Sequence, residues 1–177
     1  MNLDYCAEVA AILALDGDGE RPMPLVMEHC SPAEARERLR TVSAARLFAG
    51  ARAPEAALSG LYVYFSCFDE AHAIAQDIAT PEGSYWHAIV HRQEPDAANA
   101  AYWFRRVGVH PIFPPLARAA GQQGRWDPLA FIEMCQQAQR QPGSALEARA
   151  RAIQLAEWQL LFEYCARPAE GSNPRGT

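Results

Sequence analysis

The sequence predicts an all-α protein of about seven helices packed as a single globular bundle. Apolar residues recur every three or four positions through most of the chain, as they do on the buried side of a helix. Helix-start signals, in which a capping residue is followed by proline, recur between these segments. No segment alternates apolar and polar residues with the period of two that a half-buried strand needs. We expect one helical domain over residues 1–167 and a flexible tail over 168–177.

The first two predicted helices are separated by turn and loop residues. Residues 3–14 have apolar side chains at helical spacing, and the acidic, glycine-rich run at 16–19 is expected to end this helix as a turn. Ser31, followed by proline and then by Glu34, is a typical helix start. We expect this second helix to continue to Ala49 and to end at the glycine that follows.

The third predicted helix is apolar nearly all round, so we expect it to lie near the centre of the bundle. It runs from Pro54 to Ile78, with a seam of residues three and four positions apart. Thr80 and Pro81 are a second cap signal, and they predict a fourth helix over 82–93.

The remaining helices are delimited mainly by proline. Pro95 is expected to end the fourth helix, because proline disfavours a helical residue before it, and to begin a fifth helix that runs to Val107. Residues 110–115 are proline-rich and predict an extended connector. Asp127 is expected to cap a sixth helix, and a long last helix is expected after Ser144.

Charge and hydropathy exclude several classes of function. The chain has 177 residues and a net charge of -5, which gives no general attraction to nucleic acid or to an anionic membrane surface. No apolar run reaches the length of about 18 residues that a membrane-spanning helix requires. We therefore expect no nucleic-acid partner and no membrane; a small molecule is one candidate ligand, and the oligomeric state is left open. All 16 basic residues are arginine, so Schiff-base catalysis by lysine is excluded.

The cysteines indicate a reducing environment. They form no CxxC pair, and several fall on apolar positions of predicted helices, where a free thiol behaves as a small buried hydrophobe. The five are Cys6, Cys30, Cys67, Cys135 and Cys165. We expect no disulfide framework, and the N-terminus lacks the pattern of a signal peptide. Together these observations predict a cytoplasmic protein.

The main candidate site lies on the third and fourth predicted helices. His87 and His91 are four residues apart, so both side chains project from one side of a helix, as two imidazoles bound to one metal ion do. Asp69 and His72 share one side of the preceding helix, and an antiparallel hairpin would bring the two pairs together. The four side chains would then offer one oxygen and three nitrogens to a divalent ion, zinc or iron.

Three explanations of this cluster are open from the sequence. The histidines could hold a metal ion. They could instead transfer protons without a metal, with His87, His91 and Glu94 as the catalytic groups, because histidine titrates near neutral pH. They could also be buried hydrogen-bond partners between helices. The segment lacks the glutamate of an HExxH motif, so a protease-like zinc helix is not indicated.

Arginine and aromatic residues on the next helix suggest a place for a planar or anionic ligand. Arginine binds anions through paired hydrogen bonds and stacks on aromatic rings. The candidate ligand-binding residues are Asn99, Tyr102, Trp103 and Arg106 on this helix, together with Arg92 at the end of the preceding one. The competing structural interpretation puts the tryptophan in the core and pairs the arginines with acidic neighbours or with a helix C-terminus.

The stretch from Ser84 to Pro111 resembles a family of uncharacterised proteins from bacteria and fungi. Members of that family resemble the pattern S-[YF]-W-H-x-I-x-H-R-x-E-x-D-x-x-N-x-x-Y-W-x-R-x-V-G-x-H-P, and the run from Asp69 to His72 is similar as well. The stretch has 28 of the 177 residues of the chain. The resemblance implies no particular activity. It implies a site built from Asp69, His72, His87, His91, Arg92, Glu94, Asn99, Trp103 and Arg106.

The sequence thus supports two hypotheses of different classes. The first is a small-molecule site inside a helical bundle, in the form of a metal-dependent enzyme that acts on a polar or anionic substrate. The second is a non-catalytic module, which binds a small ligand or a protein partner and uses the same residues as buried hydrogen-bond partners.

Overall fold

The computed structural model describes residues 6–168, and within that range the chain forms ten α-helices and no strand. The helices are α1 (Ala7–Leu13), α2 (Ala33–Arg40), α3 (Ala44–Leu47), α4 (Pro54–Tyr64), α5 (Phe68–Gln76), α6 (Pro81–Gln93), α7 (Ala97–Val107), α8 (Phe113–Ala119), α9 (Pro128–Gln139) and α10 (Ala145–Ala166). A 3₁₀ segment follows α1 over Ala14–Gly19. The all-α prediction is confirmed. The prediction of about seven helices is wrong, because some predicted segments are broken.

Two of the predicted long helices are each divided in two. The segment predicted over 31–49 contains α2 and α3, because the side chain of Ser43 caps a new helix and accepts a hydrogen bond from the backbone of Arg46. The segment predicted over 54–78 contains α4 and α5. It breaks at Ser66, whose φ of 57° is left-handed and cannot continue a right-handed helix.

Two proline-containing segments differ from the prediction, whereas α4, α6 and α9 begin at prolines as predicted. The predicted connector at 110–115 contains the start of α8, whose first turn accommodates prolines because the missing N–H has no partner there in any helix. Pro95 does not begin α7. That helix begins at Ala97, because the side chain of Asp96 accepts a hydrogen bond of 3.0 Å from the backbone N–H of Asn99.

The centre of the molecule is formed by α4 and α6. Every residue from Ala56 to the end of α4 and from Gly83 to the end of α6 is buried. Helix α6 packs against α4, α5 and α7, while α10 packs against α4, α8 and α9. The two central helices approach closely at Gly60, where a Cβ atom would lie only 2.6 Å from Cζ2 of Trp86. Glycine is therefore required at this crossing.

A disulfide joins Cys30 to Cys67, and their Cα atoms are 4.2 Å apart. This corrects the expectation that the chain has no disulfide. The two residues are 37 positions apart and belong to no local motif, so only the fold brings them together. The other three cysteines are free; Cys135 and Cys165 are buried, as predicted for small apolar side chains, and Cys6 is exposed.

Parts of the predicted ends of the chain cannot be compared with the structure. Residues 169–177 of the predicted tail and residues 3–5 of the predicted first helix lie outside the described residues. Over the part that the structure describes, no helix has both the length and the apolar character needed to cross a membrane.

Candidate metal centre

The candidate site is built on two successive helix hairpins. A short turn over 77–80 reverses the chain between α5 and α6, and this turn closes tightly because Gly83 has no side chain. A Cβ atom at Gly83 would lie 2.4 Å from the carbonyl oxygen of Ile78. The second turn, over 94–96, reverses the chain again, so that α7 runs back along α6.

Helix α5 is also held from its other side. The carboxylate of Glu70 accepts a hydrogen bond of 2.7 Å from Nε of Arg36 and lies 3.0 Å from Nη2 of Arg40, and both arginines belong to α2. Burial raises the pKa of Glu70, but the hydrogen bond and charge of Arg36 outweigh it, so the pKa is lowered overall. These ion pairs join α5 to α2.

Three histidines from the first hairpin meet in one cluster. His72 comes from α5, and His87 and His91 come from consecutive turns of α6. The Nε2 atoms of His72 and His87 are 3.0 Å apart. One ring nitrogen from each of the three residues lies within 4.8 Å of the other two. We refer to these three residues as the histidine triad.

Glu94 selects the tautomer of one member of the triad. Its Oε2 atom lies 3.0 Å from Nδ1 of His91. An ionised carboxylate can only accept, so Nδ1 of His91 donates the proton and Nε2 is left with a free lone pair. The side-chain amide of Asn99 lies 3.4 Å from the same Nδ1 atom. Metal-bound histidines commonly have such a carboxylate on the second ring nitrogen.

His87 is uncharged at neutral pH. Burial, followed by the charges of His72 and His91, lowers the pKa of His87 from 6.5 to about 4. Its Nδ1 atom is buried without a hydrogen-bond partner. A neutral imidazole has a lone pair available for a metal ion without first losing a proton. The same low pKa makes His87 a poor general base near pH 7.

Aromatic and cationic groups of α7 cover the triad. The ring of Trp103 stacks on His87 with a centroid distance of 4.0 Å and an interplanar angle of 26°. The guanidinium carbon of Arg106 lies 5.2 Å from the centre of Trp103 and 5.9 Å from the centre of Tyr102. Imidazole, indole and guanidinium therefore form successive layers that end at the protein surface.

Two predicted site residues lie outside this cluster. Asp69 is exposed and does not belong to the histidine triad. Its charge instead helps to raise the pKa of Arg36. Arg92 is buried and faces the opposite side of α6, where it forms an ion pair with Glu157 of α10. Of the nine residues implied by the resemblance, these two do not contribute to the histidine triad or its covering layers.

Arg92 belongs to a buried polar network in the core. Glu157 accepts hydrogen bonds from Arg92 and, at 3.1 Å, from the hydroxyl of Tyr85. Burial lowers the pKa of Arg92, but the carboxylate of Glu157 raises it further, so the arginine is charged. Burial also raises the pKa of Tyr85 well above its ordinary value, which keeps its proton available for this hydrogen bond.

Phe68 lies in the predicted apolar seam that includes His72, but it is not among the predicted site residues. Its ring stacks on His72 with a centroid distance of 5.9 Å and an interplanar angle of 22°. The two residues are four positions apart on α5, and that spacing is the signal by which the contact could have been found. Phe68 and Trp103 therefore place apolar rings against two of the three imidazoles.

The dimensions of the triad suit a single transition-metal ion. Nitrogens at about 2.0–2.1 Å from a tetrahedral zinc ion are separated by about 3.3 Å. The observed spacing, from 3.0 Å up to 4.8 Å, brackets that value. Three protein nitrogens would leave a fourth position for water or substrate, as in catalytic zinc sites.

Comparisons with protein-family models, with curated proteins and with solved structures give no match for this chain. The resemblance of residues 84–111 to an uncharacterised family therefore stays a prediction. What bears on function is the geometry of the triad and of the groups around it.

Proposed function

We propose that the protein binds one divalent transition-metal ion through His72, His87 and His91, and that this centre is a small-molecule site with catalytic capacity. The observation that carries the proposal is the convergence of three imidazole nitrogens within 4.8 Å. Two of these residues are buried, one has its tautomer selected by Glu94, and one has a pKa of about 4. Each feature favours a lone pair directed at a cation.

Zinc is the metal that best fits this donor set. Three neutral imidazoles are a known ligand set of catalytic zinc, whereas non-haem iron oxygenases use two histidines and a carboxylate. The carboxylate of Glu94 contacts Nδ1 of His91 and would therefore orient this ligand. A zinc ion at such a site supplies a water of pKa about 7 and polarises a carbonyl or phosphoryl oxygen.

The groups above the triad support a polar, anionic substrate. Within residues 6–168, Arg106 makes no ion pair, and its guanidinium group lies at the surface over Trp103 and Tyr102. An unpaired guanidinium beside aromatic rings can bind a carboxylate or phosphate while a planar group stacks on the indole. Asn99, beside His91, adds an amide that can donate or accept. We propose that these side chains orient the substrate toward the metal.

A second candidate function follows from the contact between His72 and His87. At 3.0 Å their Nε2 atoms can share one hydrogen bond without any metal, with one ring as donor and the other as acceptor. The triad would then be a structural cluster in a non-catalytic ligand-binding or protein-interaction module. Removal of one partner would destabilise the fold by about 1–3 kcal/mol and would leave the metal content unchanged.

Elemental analysis of the full chain purified without a histidine tag distinguishes the two candidates. We expect near-stoichiometric zinc in the wild type and its loss in His87→Ala/His91→Ala. His29→Ala is the matched control, because His29 is exposed and outside the triad. It should keep the metal.

The absence of metal from the wild type would decide against the metal centre. A wild-type protein that holds no zinc, iron or manganese after reloading would remove the metal proposal. If the double variant then unfolds at lower urea concentration than the control, the structural role of the triad is supported instead.

A further inference from the structure

An apolar cavity lies beside α7, on residues that do not belong to the histidine triad. Two adjoining hollows of about 510 and 520 Å³ share Val109, Phe113, Arg125 and Trp126 as lining residues. Phe104 extends the lining of the first hollow. The sizes fall within the range of small-molecule pockets, about 300–1,000 Å³. We refer to the two hollows together as the Trp126 cavity.

One residue at the mouth of this cavity is apolar and open to water. The side chain of Val109 follows the end of α7 and is 76% exposed. It is one of three large hydrophobic residues that are exposed within the described range, with Val26 and Tyr102. The side chain of Val109 lines both hollows and therefore adds to their apolar surface.

The charges at the cavity favour an anion. Arg105 and Arg125 both line it, both are exposed, and neither forms an ion pair within residues 6–168. The acidic group nearby is Asp127, whose Oδ1 accepts the backbone N–H groups of Leu129 and Ala130 at the start of α9. Two unpaired guanidinium groups against one capping carboxylate leave a net positive charge at the rim.

Two lining residues also have hydrogen-bond donors without acceptors. The backbone N–H of Ile112 donates to Nδ1 of His110, and burial lowers the pKa of His110 to about 4, so the neutral ring has its proton on Nε2. That Nε2–H group and the Nε1–H group of Trp126 are buried without a partner. Buried donors of this kind are rare in folded proteins unless a ligand or water supplies an acceptor.

We propose that the Trp126 cavity binds a small amphipathic anion, with an apolar alkyl or aromatic body between Phe104, Phe113 and Trp126 and a carboxylate at Arg105 and Arg125. The apolar lining accounts for the body of the ligand, and the unpaired guanidinium groups account for its head. This site is separate from the metal centre, so either proposal can fail without the other.

Isothermal titration calorimetry with simple probes tests the proposal on the full chain. Decanoate and 2-naphthoate provide a carboxylate on an alkyl and on an aromatic body, decanol lacks the charge, and acetate lacks the body. We expect saturable one-to-one binding of at least one of the two acids, about tenfold tighter than decanol and acetate. The acid that binds more tightly identifies the preferred body.

Variants that each remove one positive charge locate the binding site. Arg105→Gln and Arg125→Gln should each weaken binding of the acid by about fivefold to tenfold, because each removes one charge-assisted hydrogen bond. Arg118→Gln is the matched control, since Arg118 is exposed on α8 and does not line the cavity. Val109→Asp, which puts a negative charge at the mouth, should abolish binding while the exposed position leaves the fold intact.

Several results would overturn the proposal. The proposal is wrong if neither acid gives saturable heat, if decanol binds as tightly as decanoate, or if Arg118→Gln weakens binding as much as the two cavity variants do. Unchanged binding in Val109→Asp would likewise place the ligand elsewhere on the protein.

Discussion

At the scale of single residues, His91 shows how one carboxylate selects the tautomer of a ring in the histidine triad. Its ring is buried on α6, and its outer nitrogen donates to Glu94, three residues further on. That hydrogen bond leaves Nε2 of His91 without a proton and with its lone pair free. The exposed carboxylate of Glu94 therefore determines which nitrogen of the buried His91 ring carries the proton.

Glu94→Gln tests this arrangement. The neutral amide no longer fixes His91 in one tautomer, so we expect zinc affinity to fall by about tenfold to 100-fold. The fold should be little affected, because the side chain of Glu94 is 47% exposed. Competition with a chelator of known affinity measures the change. Glu133→Gln, at an exposed position on α9, is the control, and equal affinities in the two variants would contradict the assigned role of Glu94.

His110 predicts a second effect at this scale, on stability against pH. Its pKa is lowered by burial to about 4 in the folded protein, against 6.5 when exposed. Between these values the unfolded chain binds the extra proton, so the free energy of unfolding falls as pH decreases. The free energy of unfolding falls by at most about 1.4 kcal/mol per pH unit for this one group. Above pH 6.5 the ring is neutral in both states, so His110 causes no loss of stability there.

Urea unfolding at pH 7, 6 and 5 measures this dependence. His110→Phe, which keeps an aromatic ring against Tyr85 and Tyr164, should show a shallower decrease of stability with falling pH than the wild type. Parallel curves for the two proteins would show that His110 is not the group that titrates.

At the scale of elements, α6 contributes residues from its two opposite sides to two different sites. One side presents His87 and His91 to α5 and α7, and the other presents Arg92 to α9 and α10. The buried ion pair of Arg92 with Glu157 joins the central helix to the last one. It therefore fixes the orientation of α6, and with it the direction in which the two histidines point.

Removal of one partner of the Arg92–Glu157 ion pair should lower the stability of the fold strongly. Glu157→Gln leaves the buried charge of Arg92 without its counterion, so we expect the free energy of unfolding to fall by about 3–5 kcal/mol. The double variant Arg92→Met/Glu157→Leu should cost less, because no charge stays buried. The exposed pair of Arg38 and Glu34 is the control, and Glu34→Gln should change stability by less than about 1 kcal/mol. Chemical denaturation measures all three; similar losses in the buried and exposed variants would contradict the account.

Local spacing explains what could be predicted of these elements. The separation of four between His87 and His91 predicts that both lie on one side of a helix, and a hairpin at Thr80 is the condition under which His72 joins them. Asp69, which is expected to join under the same condition, is not a member of the cluster. Contacts at long range left no such signal. Arg92 is next to His91 in sequence, but its partner is 65 residues away, and no local pattern indicates that its charge is buried in the core.

Helix breaks were missed for a related reason. Ser66 interrupts an apolar run that has helical spacing on both sides, and its left-handed backbone accompanies the link from Cys67 to Cys30. Periodicity describes which side of a helix is buried, but it does not reveal where a distant contact redirects the chain. The count of helices was therefore too low, although the class of fold was right.

At the scale of the whole molecule, the disulfide connects the segment before α2 to the start of α5. In the chain-entropy model, a link between residues 37 apart stabilises a fold by about 3–4 kcal/mol. We expect Cys30→Ser to lower the free energy of unfolding by that order. A reducing agent should have the same effect on the wild type and no further effect on the variant. Equal stability of the wild type in oxidising and reducing buffer would contradict this prediction.

The central claim for the whole molecule is that the fold brings three imidazoles from two helices together around one metal ion. X-ray absorption at the zinc edge of the reloaded, tag-free protein tests it most directly. We predict three imidazole nitrogens and one further light atom, all at about 2.0–2.1 Å from zinc. A sulfur neighbour at about 2.3 Å, fewer than three imidazoles, or an absence of bound zinc would contradict the account.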